Sequence, residues 1–534
     1  MPNHIPPNSK NDVTLYDEAK DAKDSKSPAS FRNFRSFGFL GFFLCVALVY
    51  GYFHGFESFF FSIITFIEVI LLFNILIIVH ELGHFLAAKW CGLKIDKFAI
   101  WFGKPLWSRT VDGVEYILGS VPAGGYVALP QMAPMEAIEG KTDTPREELP
   151  PASPWQKIIV AFAGPLFSFG LAVVFAFIVW GVGKPSNEAD NSTVIGWVAQ
   201  TADNGQPGPA WQAGLRPGDT ILEIDGHPVH HFTATSSDSV TWRIVASEGT
   251  NIAIKYLRDG QEATAYVKPF HRETKWFERK ALRQILINSA SKATIYEVAT
   301  NSPAAAAGLK AGDDVVAVDG KKVYSFMAVV AAEDAMSNTV VKPITLSIRR
   351  GTESFDRELL AVKPLSPTNA TPMLGIISWQ ADTNFSLTHP SPLEQIQASA
   401  GQIFNTFGAL FSHKGEIGVQ QLGGAVMIIR VYSNLFQDDD GWRRVLWFSV
   451  ILNVNLALLN LLPLPVLDGG HITLSLIEWI RRRPVSASLL NRIQTGFAAL
   501  LISFMIYIAF FDTGDWLRSA RADREVPVVF APAK

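Results

Sequence analysis

Cysteine is nearly absent from this chain of 534 residues, which holds only Cys45 and Cys91, both in or beside apolar runs. No disulfide framework can be built from two such residues, and they do not reveal the redox compartment. Charge is scarce as well: 18% of residues are charged, and 46 basic side chains face 49 acidic ones for a net charge of −3. Without a basic excess, nothing points to a nucleic-acid partner. Apolar residues fill the space instead. They make up 48% of the chain, and the mean hydropathy of +0.19 is high for a soluble protein of this length. The composition implies a membrane protein with soluble parts, too long for one compact domain.

Residues 1–36 read as a disordered tail, polar and mixed in charge over the first 30 positions. Apolar stretches follow at 37–53, 58–88, 157–182, 445–467 and 494–511. About 20 residues of helix cross the hydrocarbon layer. The first stretch follows Arg32 and Arg35 but precedes no clear cleavage site, so a retained extra helix over 37–56 is expected rather than a signal peptide. Arg32 and Arg35, the cluster Lys89 to Arg109, and Arg481 to Arg483 all fall on the cytoplasmic side if the positive-inside rule holds. The region 183–440 then lies outside, together with Arg443, Arg444, Arg518, Arg521 and Arg524, which fit that arrangement less well.

That outer region contains a repeat. "GLRPGDTILEIDGHPV" begins at Gly214, "GLKAGDDVVAVDGKKV" begins at Gly308, and an alternating hairpin pattern follows each. Two related α+β domains are expected, over 192–270 and 285–365. Both resemble PDZ domains of the bacterial type, which bind extended peptide by strand addition; the plainer alternative is a pair of rigid spacers.

"IIVHELGHFLAAK", residues 77–89, carries the chemistry. Positions i and i+4 share a helix face, so His80 and His84 can reach one ion, and Glu81 can reach a water on it. Histidine and glutamate within an apolar span are costly, hence functional by default. With only 11 histidines in the chain, a chance match is improbable. A catalytic zinc site usually takes three protein ligands. His389, His413 and His471 are candidates for the third, but Asp468 in "NLLPLPVLDGGH" is the strongest: two prolines and two glycines put irregular backbone at membrane depth, where it must line a cavity or be buried. An ordinary helix cap is the plainer role for Asp468.

H-E-L-G-H together with N-x-x-P-x-P-x-L-D-G-G resembles the site-2 family of intramembrane zinc metalloproteases, and the paired inserted domains resemble its regulator of sigma-E protease branch. The resemblance covers about 58–515. It implies a polytopic α-helical membrane protein with a HExxH/LDG core split into 57–183 and 441–515, a helical outer segment over 385–440 and a C-terminal tail over 516–534. By resemblance, His80, His84 and Asp468 hold Zn2+, Glu81 activates water, and Asn455 and Asn460 contact substrate. Gly124, Gly125 and Tyr126 in "GGYVAL" match a membrane-dipping hairpin that holds substrate as a strand. The implied setting is a bacterial inner membrane with the paired domains outside and the active site near the cytoplasmic face. Implied partners are single-span proteins, such as an anti-sigma factor already trimmed by a site-1 type protease, or leftover signal peptides. Two departures bear on local substrate contacts: Ser168 stands where the family has asparagine, and "LGGA" (422–425) lacks the family's proline. Glu68 matches no part of the pattern. The alternative function is a non-catalytic membrane scaffold presenting two peptide-binding domains.

Overall fold

The structure is a computed structural model that describes residues 56–132, 149–187, 191–233, 236–335, 342–368, 370–380, 386–437, 440–483, 487–522 and 527–532. The expected tail 1–36 and, apart from Phe56, the expected helix 37–56 lie outside the described residues. Among the described residues, four helices are long and apolar enough to cross a membrane, with windows at Ile63–Trp90, Pro154–Val182, Gly441–Asn460 and Leu489–Ser519.

Helix α1 (Phe56–Trp90) stops where Gly92 takes a φ of 69°, which lets the Leu93 N–H reach back to the Ala88 carbonyl at 2.9 Å. The chain then forms a four-stranded sheet from β1 (Lys97–Phe102), β2 (Trp107–Val111), β3 (Val114–Leu118) and β4 (Val121–Ala128), in the order β2-β3-β1-β4. Its apolar face packs on the end of α1 through Phe85, Phe98 and Val127. Helix α2 (Pro154–Val182) starts at a capping box made by Ser153 and Gln156, with Pro154 in its first turn.

Strand β5 (Lys184–Ser186) leads into the repeat domains. The first contains β6 (Ile195–Val198), β7 (Thr220–Ile224), β8 (His227–Pro228), β9 (Ile252–Arg258), β10 (Gln261–Val267) and β11 (Ile287–Ser289). The second contains β12 (Ile295–Val298), β13 (Asp314–Val318), β14 (Lys321–Lys322), β15 (Ile344–Arg350), β16 (Glu353–Leu359) and β17 (Ile376–Trp379). The sheet orders correspond, β10-β9-β7-β8 and β16-β15-β13-β14, and in each domain the first and last strands pair, β6 with β11 and β12 with β17. The repeated motif residues have structural roles. Asp225-Gly226 and Asp319-Gly320 supply the consecutive positive φ values of a tight hairpin turn. Asp219 and Asp313, each 1% exposed, accept backbone N–H groups from Arg216 and Lys310 and pair with Arg258 and Arg350 at 2.6 Å.

Both domains are longer than expected. Ile285 and Ile287 join the first core and Ile376 and Trp379 the second, so they end near 289 and 379 rather than at 270 and 365. The closing strands have three and four residues, too short to show an alternating period, and follow irregular chain.

After β18 (Ser386–Thr388) come α3 (Pro392–Phe411), α4 (Ala425–Gln437), α5 (Gly441–Asn460), α6 (Asp468–Arg481) and α7 (Ala487–Ala522). Ala172, Ala176 and Val179 of α2 meet Val450 and Val454 of α5 in a buried seam, where small side chains allow close helix approach. Arg279, from the first repeat domain, pairs with Asp512 and Asp515 near the end of α7. Beyond α7, Val529 bridges Ser366, and Phe530 is 3% exposed. The end of α7 and the tail beyond it therefore lie against the repeat domains.

Candidate active site

Three candidate metal donors meet where two helix ends approach each other. His80 and His84 lie one turn apart near the end of α1, and Asp468 opens α6 just beyond α5. The two Nε2 atoms are 3.2 Å apart. Asp468 places Oδ2 3.2 Å from His80 Nε2 and Oδ1 3.4 Å from His84 Nε2. Four-coordinate zinc with bonds of about 2.0–2.1 Å holds its ligand atoms roughly 3.4 Å apart. The donor set thus has the spacing of a zinc site, and it is the one such cluster among the described residues.

Ligand orientation comes from α2. His84 Nδ1 donates to the Val160 carbonyl at 2.8 Å, which leaves Nε2 with its lone pair towards the cluster. His80 Nδ1 lies 3.0 Å from Ser168 Oγ. Ser168 is fully buried and holds the ring of a candidate donor, whereas the sequence links this position only to substrate contacts. Close helix approach is required for these bonds. A Cβ on Gly83 would lie 2.4 Å from the Ala163 carbonyl oxygen, and one on Gly164 would lie 2.2 Å from His84 Nε2 and 2.9 Å from His80 Nε2. Gly469 and Gly470 tuck under the Leu461 and Leu464 carbonyls, 2.2 and 2.1 Å from where their Cβ atoms would sit. Lys157 donates to Glu478 at 2.7 Å and ties α6 to the start of α2.

The donors face a cavity of ≈ 200 Å³ whose walls include Glu81, Gly125, Tyr126, Asn460 and His471. Glu81 is beside β4: a Cβ on Gly125 would lie 3.2 Å from Glu81 Cγ. Among the described residues strand β4 is a sheet edge, paired with β1 through contacts that include Ala99–Tyr126 and Ile100–Gly125. A bulge after Ile100, where Trp101 has φ 70°, aims the Trp101 indole N–H at the Asn74 side-chain oxygen on α1 and fixes the sheet against that helix.

Other expected residues fall elsewhere. Gly124 is not in the cavity wall; it lies within β4, where its φ of 128° and a neighbouring Phe102 ring, 2.2 Å from where a Cβ would sit, require glycine. Asn455 is also outside the wall, its amide oxygen buried without a hydrogen-bond partner among the described residues. His389 and His413 lie away from the cavity, with His389 Nδ1 2.8 Å from the Trp180 carbonyl oxygen. Val160, Gly164, Asn74 and Trp101 have no role in the sequence reading of the site, and Ser168 enters it only through substrate contacts. For Val160, Gly164 and Ser168 the one signal is a helix rich in small residues, which names no particular contact; Asn74 and Trp101 carry none.

The chain matches a model of peptidase family M50 over residues 68–504. It is 28% identical to a Vibrio cholerae protein named as a proposed zinc metalloprotease, covering 84% of this chain and 98% of that one. It is 27% identical to the regulator of sigma E protease of Salmonella typhi, covering 78% of this chain and 91% of that one. The regulator of sigma-E protease RseP of Salmonella typhimurium matches at the same identity and coverage. With a family match over most of its length and a zinc-spaced donor set between apolar helices, the chain belongs to peptidase family M50 and is a membrane zinc metalloprotease.

Proposed function

We propose that this protein is an intramembrane endopeptidase that cuts single-span membrane proteins, and that it acts in regulated intramembrane proteolysis. One observation carries the reading: His80 and His84, on a helix apolar enough to span, meet Asp468 at zinc spacing, and Asp468 follows the end of a second such helix by a short turn. His80, His84 and Asp468 would hold the zinc, which would supply an acidified water and a polarised carbonyl. Glu81, in the same cavity, takes the water's proton on its carboxylate and returns it to the departing amine. The edge strand β4 offers backbone groups to an unwound substrate segment, which a helical substrate could not meet because its own carbonyls are already bonded. Asn460 stands at the same wall, where its amide can hold substrate backbone.

The Salmonella relatives are named for sigma-E regulation, which supports an anti-sigma-factor-like substrate trimmed first by another protease, with signal-peptide remnants as a second class. In this reading the protein sits in a bacterial inner membrane, and the repeat domains are PDZ-like modules on the outer side. The test is a comparison of the parent with Glu81→Gln, reconstituted with a single-span substrate. The variant should keep the parent's zinc content and lose cleavage by about 10²–10⁴-fold. Cleavage near the parent rate would remove Glu81 from its role. Cleavage of a soluble peptide but of no membrane-embedded substrate would refute the intramembrane reading.

A further inference from the structure

In the second repeat domain a helix, Met327–Asp334, lies beside β17, with its N-cap against the end of the strand and its last turn against the turn that precedes it. Phe326, the helix N-cap, stacks on Trp379 with ring centroids 5.8 Å apart. Glu333, in the last turn, accepts the Leu374 N–H at 2.7 Å. Phe326, Val330 and Glu333 have the i, i+4, i+7 spacing of one helix face. Strand β17 pairs with β12 on one edge; among the described residues no strand pairs with the other. A strand edge beside a helix is a slot that an extended peptide enters by strand addition, with its terminal carboxylate bonded to backbone N–H groups where the strand begins. Here that turn is Leu374-Gly375, with Gly375 at φ 84°, and a side-chain carboxylate already holds its first N–H.

The first domain differs at this point. Gln284 and Ile285 make the same backbone bonds as Met373 and Leu374: the first of each pair donates to the preceding segment, and the second accepts from the short helix. Counting from the helix N-caps, Ser239 and Phe326, the residue that corresponds to Glu333 is Ala246, which has no side-chain acceptor. Where the second domain has Pro372, the first has Arg283, buried and paired with Glu416 at 2.7 Å.

We propose that Glu333 is a built-in substitute for a peptide's terminal carboxylate, so that the second domain is self-occupied and chain ends are captured by the first domain. This rests on the reading of the repeat domains as PDZ-like peptide binders. It assigns the two repeats different tasks: the first receives a freshly cut chain end, and the second is a closed module. Burial holds the Glu333 carboxyl up at about 7, a cost that an alanine there would not carry.

The test uses the full-length protein in detergent and a fluorescein-labelled decapeptide ending in valine with a free carboxylate; the same peptide as a C-terminal amide is the control. Hydrogen exchange on the parent should show the peptide protecting β11 but not β17, and the amide protecting neither. Glu333→Ala without peptide should speed exchange at Leu374 by about three- to tenfold, the worth of one hydrogen bond. It should also double the number of peptides bound per chain. Protection of β17 by peptide in the parent would overturn the proposal, whether or not the variant folds. Unchanged exchange at Leu374 in a folded variant would overturn it too. Faster exchange with no peptide bound in any form would instead remove the peptide-binding reading on which it rests.

Discussion

Replacing Gly164 by alanine places a methyl carbon 2.2 Å from His84 Nε2 and 2.9 Å from His80 Nε2. Those are the two atoms that would bind the metal, and about 2.0–2.1 Å is the length of a zinc–nitrogen bond. The methyl group would therefore stand close to the ion's own position. Relaxation is limited, because the His84 ring is pinned through Nδ1 to the Val160 carbonyl and the His80 ring contacts Ser168. At least one imidazole has to swing away, which removes a ligand rather than weakening a support. Loss of a supporting hydrogen bond alone costs about 10–100-fold in metal affinity. Ser168→Ala, which removes only the Oγ beside His80 Nδ1, should fall in that range, and Gly164→Ala should exceed it. The assay is zinc content after dialysis against graded chelator, with helix content followed by circular dichroism to separate loss of metal from loss of fold. Gly164→Ala that kept zinc as tightly as the parent would refute the close approach of α2 to the ligands. Equal losses for the two variants would refute the ranking.

Arg279 donates to the Gln420 and Leu422 carbonyls and pairs with Asp512 and Asp515, while Asp512 is 4% exposed and also accepts the N–H groups that begin α4. Arg279→Ala leaves a buried carboxylate without its cation and should destabilise this junction by about 3–5 kcal/mol; hydrogen exchange in 420–437 would rise, and unchanged protection there would contradict the assignment. In the second repeat domain, burial raises the Glu333 carboxyl from 4.5 to about 7, opposed by the Leu374 N–H and helped by the Asp334 charge. A raised folded-state pKa means that this group's contribution to stability is fully present below about pH 4.5 and is lost as the pH rises through about 7. Exchange protection of the domain, corrected for intrinsic rates, should fall between pH 5.5 and 8 in the parent and change less in Glu333→Gln; identical profiles would exclude Glu333 as the titrating group.

Much of this protein could be read locally. The apolar stretches located the long helices because a span must satisfy its backbone internally and present apolar side chains along its whole length. The HExxH spacing determined that His80 and His84 share a face, and the repeated "GD" and "DG" residues determined two copies of one domain, since buried Asp219 and Asp313 and the positive-φ turns at Asp225 and Asp319 are needs of a single strand–turn unit. The Leu-Asp-Gly-Gly turn suggested Asp468 for a similar reason: prolines and glycines at membrane depth require a special local backbone. The tertiary structure alone decided what crosses between distant segments. Ser168 could be matched to an alignment position, but only packing shows that its hydroxyl meets His80, 88 residues away in sequence. Gly164 is required because of an imidazole on another helix, and Asn455 and Asn460, equal candidates by motif, are separated by which face of α5 meets the cavity. The closing strands β11 and β17 were missed because three or four residues have no readable period; each is a strand only because β6 or β12 is there to pair with it. Local chemistry thus determines which residues can serve, and the juxtaposition of helices determines which of them do, because hydrogen bonds and ligand spacing depend on distances of a few ångströms that no single segment contains.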